Sequence, residues 1–177
     1  FELFGKRPAV FSVPERTVTP SPSARVNMKS PKNKAGNIEI KGFNSTFEPK
    51  FNGKPITLET YEHATCTDVA TNGSAFILGS AWHIRYFDST GKELWKHAAP
   101  DTPWTAILTD DGKLALVGFG DGTIRWYRTN DGTELLALFA HSDGKRWVAW
   151  TPSGYYMASP GGEELVGRWC HLVRQRP

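Results

Sequence analysis

The sequence predicts an all-β fold, and three observations carry that reading. Segments of one pattern recur about every forty residues, with turn glycines Gly73, Gly112 and Gly154 spaced by 39 and 42 positions. Each segment divides into short runs rich in β-branched and aromatic residues, bounded by Gly, Asp and Asn. No stretch from residue 65 to 169 carries an apolar period of 3.6, and glycine recurs too often there for helices. Several short strands per unit of roughly 40 to 45 residues are the signature of a propeller blade. The expected architecture is a partial β-propeller of about three to four four-stranded blades over residues 37–177, preceded by an extended basic Pro/Ser-rich arm over residues 1–36.

Taken in order, the arm comes first. Residues 13–37, "VPERTVTPSPSARVNMKSPKNKAGN", hold four prolines among Ser, Lys and Asn, a composition unable to bury enough apolar surface to fold alone. Before it, "FELFGKRPAVF" supplies Phe1, Leu3, Phe4, Val10 and Phe11 as an anchor. "NIEIKGF" and "KPITLETYEH" then add strands, the second as the outer strand of a preceding blade or as the completion of a ring closure. The first full repeat runs from Cys66, the second from Trp104 and the third from Trp147. The second is the clearest. A short apolar strand from Trp104 to Leu108 meets the turn "TDDG", and "KLALVG" reads as a strand packed on both faces. "FGDG" turns into "TIRWY", and Asn130, Asp131 and Gly132 make a hairpin turn into "TELLALF", Asp-Gly supplying the positive φ that a tight hairpin requires.

Composition bounds the function classes. The 177 residues are 39% hydrophobic and 12% aromatic, with a mean hydropathy of −0.42, which fits a globular domain. No apolar run reaches the roughly 18 residues of a membrane helix. The net charge is +3. Residues 1–36 carry +5 and the rest −2, so the basic excess belongs to the arm. No aromatic residues interleave with the arm's charges beyond Val13, which argues for a solvated tether and against nucleic acid. Cys66 and Cys170 form no C-x-x-C pair, so neither a disulfide framework nor a zinc site is expected, and two buried thiols are the default.

"LVGFGDGTIRWY", residues 116–127, resembles the core of a WD-repeat blade. The longer run from "GDGTIRWY" to "ELVGRW" is similar to the closing blades of bacterial WD-repeat-like proteins, in several of which the propeller is joined to a caspase-like peptidase domain. The resemblance covers residues 50–171. It implies a recognition or scaffolding module, and no peptidase activity for this chain. It also implies a hydrogen-bonded structural set in each blade, which in the second repeat falls on His97, Asp121 and Trp126. The first repeat departs from the pattern: His63 is present, but Ala81 and Trp82 stand where the aspartate belongs. In the third, His141 and Trp169 remain and only Glu163 or Glu164 offers a carboxylate.

Chemistry-bearing constellations are weak throughout. "YFDSTGKELWKHAAP", residues 86–100, reads either as the outer strand of a quinoprotein blade or as a plain blade junction. The chain has no adjacent cysteines and no carboxylate in a recognisable cation-binding context, so Trp95 is read as packing between blades. "GFGDGT" resembles a phosphate loop, but a strand follows where a helix N-terminus would be needed. His63, His83, His97, His141 and His171 form no H-x-x-x-H or H-E-x-x-H pair, and no nucleophile elbow is present. The expectation is no catalytic residue, no cofactor, no metal and no small-molecule substrate.

Partner contacts are expected on the face built by the loops entering each blade and the turns between its inner strands. That face presents Trp82, Asp101, Asp143, Lys145 and Arg146. Tyr155 and Tyr156 form a further recognition patch, unless strand alternation turns one of them inward. Three to four blades leave a propeller short of a ring, with an open side and an unpaired edge. The chain is therefore read as a non-catalytic protein-interaction or assembly scaffold, its open side covered by a protein partner, a larger assembly or the rest of a longer polypeptide. The alternative is an accessory recognition domain whose enzyme, caspase-like or other, lies outside this sequence. A cofactor-binding quinoprotein-like propeller is a distant third.

Overall fold

A computed structural model describes residues 2–3, 7–20 and 29–165, with side chains from 9–19 and 29–165. The contacts divide the chain into two compact units, Lys29–Leu135 on one side and Phe1–Met28 with Leu136–Pro177 on the other. Lys29 to Lys32 belong to the first of these units. The Lys32 N–H donates to Asp68 at 2.7 Å, its carbonyl accepts from Val69, and Lys29 Nζ donates to the Leu108 carbonyl at 2.7 Å. The end of the basic segment is thus pinned into the first unit by its backbone.

In the unit that also holds the N-terminal residues, β1 (Glu2–Leu3), β2 (Arg7–Ser12) and β3 (Thr17–Pro20) pair antiparallel in sequence order. Extended backbone expected of an arm is present, but as a ladder.

The Lys29–Leu135 unit is built of antiparallel meanders. β4 (Lys34–Ala35), β5 (Ile38–Lys41), β6 (Lys50–Phe51) and β7 (Lys54–Pro55) form a small four-stranded sheet. β8 (Ala64–Val69), β9 (Ala75–Ser80), β10 (His83–Asp88) and β11 (Glu93–Ala98) form a complete up-and-down blade in the order β11-β10-β9-β8. β12 (Pro103–Leu108), β13 (Leu114–Phe119) and β14 (Thr123–Arg128) repeat the pattern and pair in succession. The all-β partial-propeller reading holds. Every residue of β9, "AFILGS", is buried, because the blade is covered on both faces. Phe76 and Leu78 pack with Ile38, Ile40, Ala64, Val69 and Phe87 on one side. Ala75 and Ile77 pack on the other with Ala106, Leu108, Ala115 and Val117 of β12 and β13. Phe51, Phe76 and Phe87 stack in sequence at 5.4 and 4.6 Å, and Trp95 stacks on Tyr86 at 5.3 Å while its indole N–H donates to the Thr129 carbonyl at 2.8 Å. Trp95 therefore joins one repeat to the next. Gly73, Gly112 and Gly132 all have positive φ, as their turns require.

The chain enters the other unit within β15 (Glu134–Ala140), which pairs with β16 (Trp147–Trp150), and β16 pairs with β17 (Tyr156–Ala158). Phe139, Val148 and Leu165 form its small core, and Phe11 meets Trp147 edge to face at 5.0 Å. One departure from the expected pattern occurs here: residues 163–165 are helical, directly after the Ser159–Gly162 turn. Trp169, Cys170 and His171 lie outside the described residues.

Candidate functional site

Two features of the Lys29–Leu135 unit stand out, one buried and one exposed. The buried one centres on Glu62, only 1% exposed. Ser80 Oγ and His83 Nδ1 both point at Oε1, the latter at 2.7 Å. Oε2 accepts from Arg85 Nη2 at 2.7 Å and from the Glu59 N–H at 2.8 Å. Arg85 reaches on to Glu93 at 2.9 Å, and Lys96 to Glu59 at 2.7 Å. Burial pushes the Glu62 carboxyl up, but the donors from Ser80, Glu59, His83 and Arg85 outweigh it and hold the group down to about 2. The carboxylate is therefore ionised, and His83 Nδ1 is its donor. A serine, a histidine and an acid are present, yet the order is wrong for nucleophilic catalysis. A base must take the serine proton. Here the single hydroxyl proton of Ser80 goes to the carboxylate, and the histidine donates to the same carboxylate. The set ties the segment before β8 to β9 and β10.

The exposed feature is an aromatic end. Phe47, Tyr61, Trp82 and Trp104 are 62%, 82%, 47% and 65% exposed. They lie at or near strand ends on the side where β9 turns into β10. Phe47 lies against His63 at 5.8 Å. The Ala81 N–H donates to the His63 carbonyl, and the Ala99 N–H to the Trp82 carbonyl. Thr65 Oγ1 donates to the Pro103 carbonyl, which brings the start of β12 against the start of β8. Trp104 then stands out because the register shifts between Pro103 and Thr105, a bulge that turns one residue out of the ladder. Its ring covers Gly120 beside Asp101, where a Cβ would lie 3.1 Å from the indole nitrogen.

Of the residues expected on the contact face, Trp82 and Asp101 belong to this end. Asp143, Lys145 and Arg146 lie in the other unit, in the loop between β15 and β16. There Asp143 accepts from the Lys145 and Arg146 N–H groups and from Arg146 Nε at 2.6 Å. Burial opposes ionisation of Asp143, but those donors and nearby His141 drive its carboxyl far below the ordinary range. Asp143 and Arg146 are committed to each other. Tyr155 and Tyr156 are both exposed, with Met157 beside them, so neither turns inward.

Of the expected structural set, the structure does not bring His97 to Asp121. His97 tilts against Trp95 at 5.3 Å, with its ring nearest Gly132. Asp121 instead accepts from the Thr123 N–H and hydroxyl at 2.8 and 2.7 Å and lies 3.5 Å from Arg125. Trp126 is half-buried in β14. The sequence reading missed Glu62, Phe47, Tyr61 and Trp104. Glu62 sits in a polar run, "LETYEH", that gives no sign of burial, and a bulge has no sequence period to reveal it.

Cys66 is a buried free thiol, pushed up to about 12 by burial despite hydrogen bonds from Thr65 and Gly79. Among the described residues no group of His, Cys, Asp and Glu is arranged to hold a metal ion, and no helix is long and apolar enough to cross a membrane.

No family model matches the chain, and no curated protein matches it. Among solved structures it is similar to a crystal structure of RRP9 WD40 repeats and to a structure of U3-55K, each 14% identical with a TM-score of 0.41. Either match covers 52% of this chain, and the chain spans 37% of either matched chain.

Proposed function

We propose that the chain is a non-catalytic interaction module, a protein-binding or assembly scaffold whose partner docks on the aromatic end of the Lys29–Leu135 unit. One observation supports this most. The unit buries Phe76, Phe87, Tyr86 and Tyr127 in its sheets, yet leaves Phe47, Tyr61, Trp82 and Trp104 in solvent at one end. Large exposed aromatic groups contribute strongly when a partner covers them, because they bring much apolar area at little cost in side-chain entropy. Asp101 supplies a polar rim beside Trp104.

The test compares the wild-type chain with a Trp82→Ala/Trp104→Ala double variant in a pull-down read by mass spectrometry. The expected result is a protein captured by the wild type and lost by the variant, with an unchanged thermal midpoint. Equal capture by both, or none by either, overturns the proposal. The mass of the native polypeptide separates a free-standing scaffold from a recognition domain tethered to an enzyme such as a caspase-like peptidase.

A further inference from the structure

On the side where β9 turns into β10, the strands of the Lys29–Leu135 unit are joined by segments 42–49, 59–63, 81–82, 99–102 and 120–122. Those segments carry Glu48, Glu59, Glu62, Asp101 and Asp121 and not one Lys or Arg. The turns at the opposite strand ends, 70–74, 89–92, 109–113 and 129–133, mix Asp110, Asp111 and Asp131 with Lys92 and Lys113. The one-sided charge therefore belongs to the aromatic end. Cations carried on the strands meet three of its carboxylates. Lys96 reaches Glu59 and Arg85 reaches Glu62, both at 2.7 Å, and Arg125 lies 3.5 Å from Asp121. Glu48 and Asp101 are exposed and form no ion pair among the described residues. Each stands beside an exposed aromatic ring. Glu48 follows Phe47 in the chain, and its nearest basic neighbour in sequence, Lys50, lies on β6 opposite Lys41.

Asp101 and Trp104 converge on Gly120. The indole nitrogen lies 3.1 Å, and the Asp101 carboxylate 3.2 Å, from the point a Cβ on that glycine would occupy, so ring and charge share one small patch. A guanidinium suits the pair, because it stacks on an aromatic face while its N–H groups reach a carboxylate. An ammonium would gain the charge without the stacking. Phosphates of nucleic acid or of an anionic membrane would be repelled here. Tyr61 shows that this end is built for contact. The Glu62 N–H donates to the Glu59 carbonyl at 3.0 Å, closing a turn in which Tyr61 has a φ of 63°. Glycine fills that position without steric cost. A bulky side chain held there, 82% exposed, adds strain and little packing. We propose that the partner covering this end presents an arginine-bearing peptide segment, one guanidinium seated on Trp104 beside Asp101. This rests on the aromatic end being the docking surface and specifies the chemistry that it takes.

The probe is an acetylated and amidated peptide of Arg-Gly repeats, titrated into the whole chain and followed by NMR. The same peptide with citrulline for every arginine is the neutral comparison. The expected result is a saturable shift of the Trp104 indole N–H and the Gly120 amide at millimolar concentrations, roughly tenfold weaker for the citrulline peptide. Asp101→Asn keeps an oxygen for the Thr102 N–H and removes the charge. It is expected to weaken binding roughly fivefold with an unchanged thermal midpoint, and Asp101→Glu to restore most of the loss. No saturable shift at Trp104 overturns the inference. So does an equal response to the citrulline peptide, an undiminished response in Asp101→Asn, or a shift confined to Asp110, Asp111 and Asp131 at the opposite end. The pull-down separates this inference from the reading beneath it. A protein lost by Trp82→Ala/Trp104→Ala but held equally by Asp101→Asn overturns the arginine assignment and leaves the docking surface standing. Capture indifferent to the two tryptophans overturns both.

Discussion

Arg85 and Arg125 occupy the same place in consecutive repeats, and the chain solves the problem they pose in two ways. Each reaches across its hairpin to a glutamate, Arg85 to Glu93 at 2.9 Å and Arg125 to Glu134 at 3.1 Å. In the second repeat the other carboxylate, Asp121, is local, four residues away in the turn, and Phe119 lies under the guanidinium at 5.8 Å. In the first repeat that turn holds Ala81 and Trp82, and the carboxylate arrives from 23 residues upstream as Glu62. The local solution is partly exposed and fully satisfied. The distant one is deeply buried, better paired at the carboxylate, and leaves one N–H of Arg85 without an acceptor among the described residues. A repeat can thus keep its cation and change the source of its counter-charge, at the cost of making two distant segments depend on each other.

If that comparison is right, Glu62→Ala is the most damaging of the matched substitutions. It strands Arg85, Ser80 and His83 together, and breaking a buried ion pair by removing one partner costs about 3–5 kcal/mol. Asp121→Ala removes turn hydrogen bonds around a more exposed arginine, so a loss of about 1–2 kcal/mol is expected. Urea unfolding of the two variants decides the matter, and equal losses would break the comparison.

The pH dependence sharpens it. Glu62 is held down to about 2 against an ordinary value of 4.5. A depressed carboxyl stabilises the fold above the unfolded value, and that contribution is lost as the pH falls from about 5 toward 2. The difference corresponds to about 3 kcal/mol. Asp68 works in the opposite sense. Burial raises its carboxyl against the pull of the Leu108 and Lys32 N–H groups, so it favours the protonated native chain and its contribution is lost as the pH rises. The expected outcome is that the wild-type chain loses stability steeply in acid while Glu62→Gln, already weakened, has a much flatter profile. Parallel profiles would show that Glu62 is not the group responsible.

How much of this could be read beforehand follows from the range of the interactions. The strand pattern was legible because alternation, turn glycines and the repeat length are local properties. β8 to β14 lie where the aligned runs put them. Asp121 was legible as a turn residue, since it acts within a few positions of the hairpin that holds it, and Trp95, which reaches Thr129 in the next repeat, as packing between blades because a repeat implies a neighbour. Glu62 was not, because what buries a glutamate is the arrival of Ser80, His83 and Arg85 from another strand. The family pattern pointed to His97 for Asp121, but Thr123 and Arg125, two and four residues on, took its oxygens first. For the lysines, composition suggested a solvated tether. Yet it is the Lys32 backbone and the Lys29 head group that do the docking, and backbone groups leave no mark in composition.

The smallest expected effect concerns two bulges at matching positions. β8 shifts register between Ala64 and Cys66, β12 between Pro103 and Thr105, and the bulged residues are Thr65 and Trp104. The first turns its hydroxyl into the structure, donating to the Pro103 carbonyl at 2.5 Å, and the second turns its ring to solvent. Thr65→Val keeps the shape and removes the donor, so a loss of about 1 kcal/mol is expected. Trp104→Thr gives the second bulge the residue of the first and removes a ring that is mostly exposed, so the change is expected to stay within about 0.5 kcal/mol. Thermal melts of the two variants read the difference directly. A large loss at Trp104 would mean that the indole packs against Gly120 and Asp101 as a structural cover, and the aromatic end would then owe its ring to the fold and not to a partner.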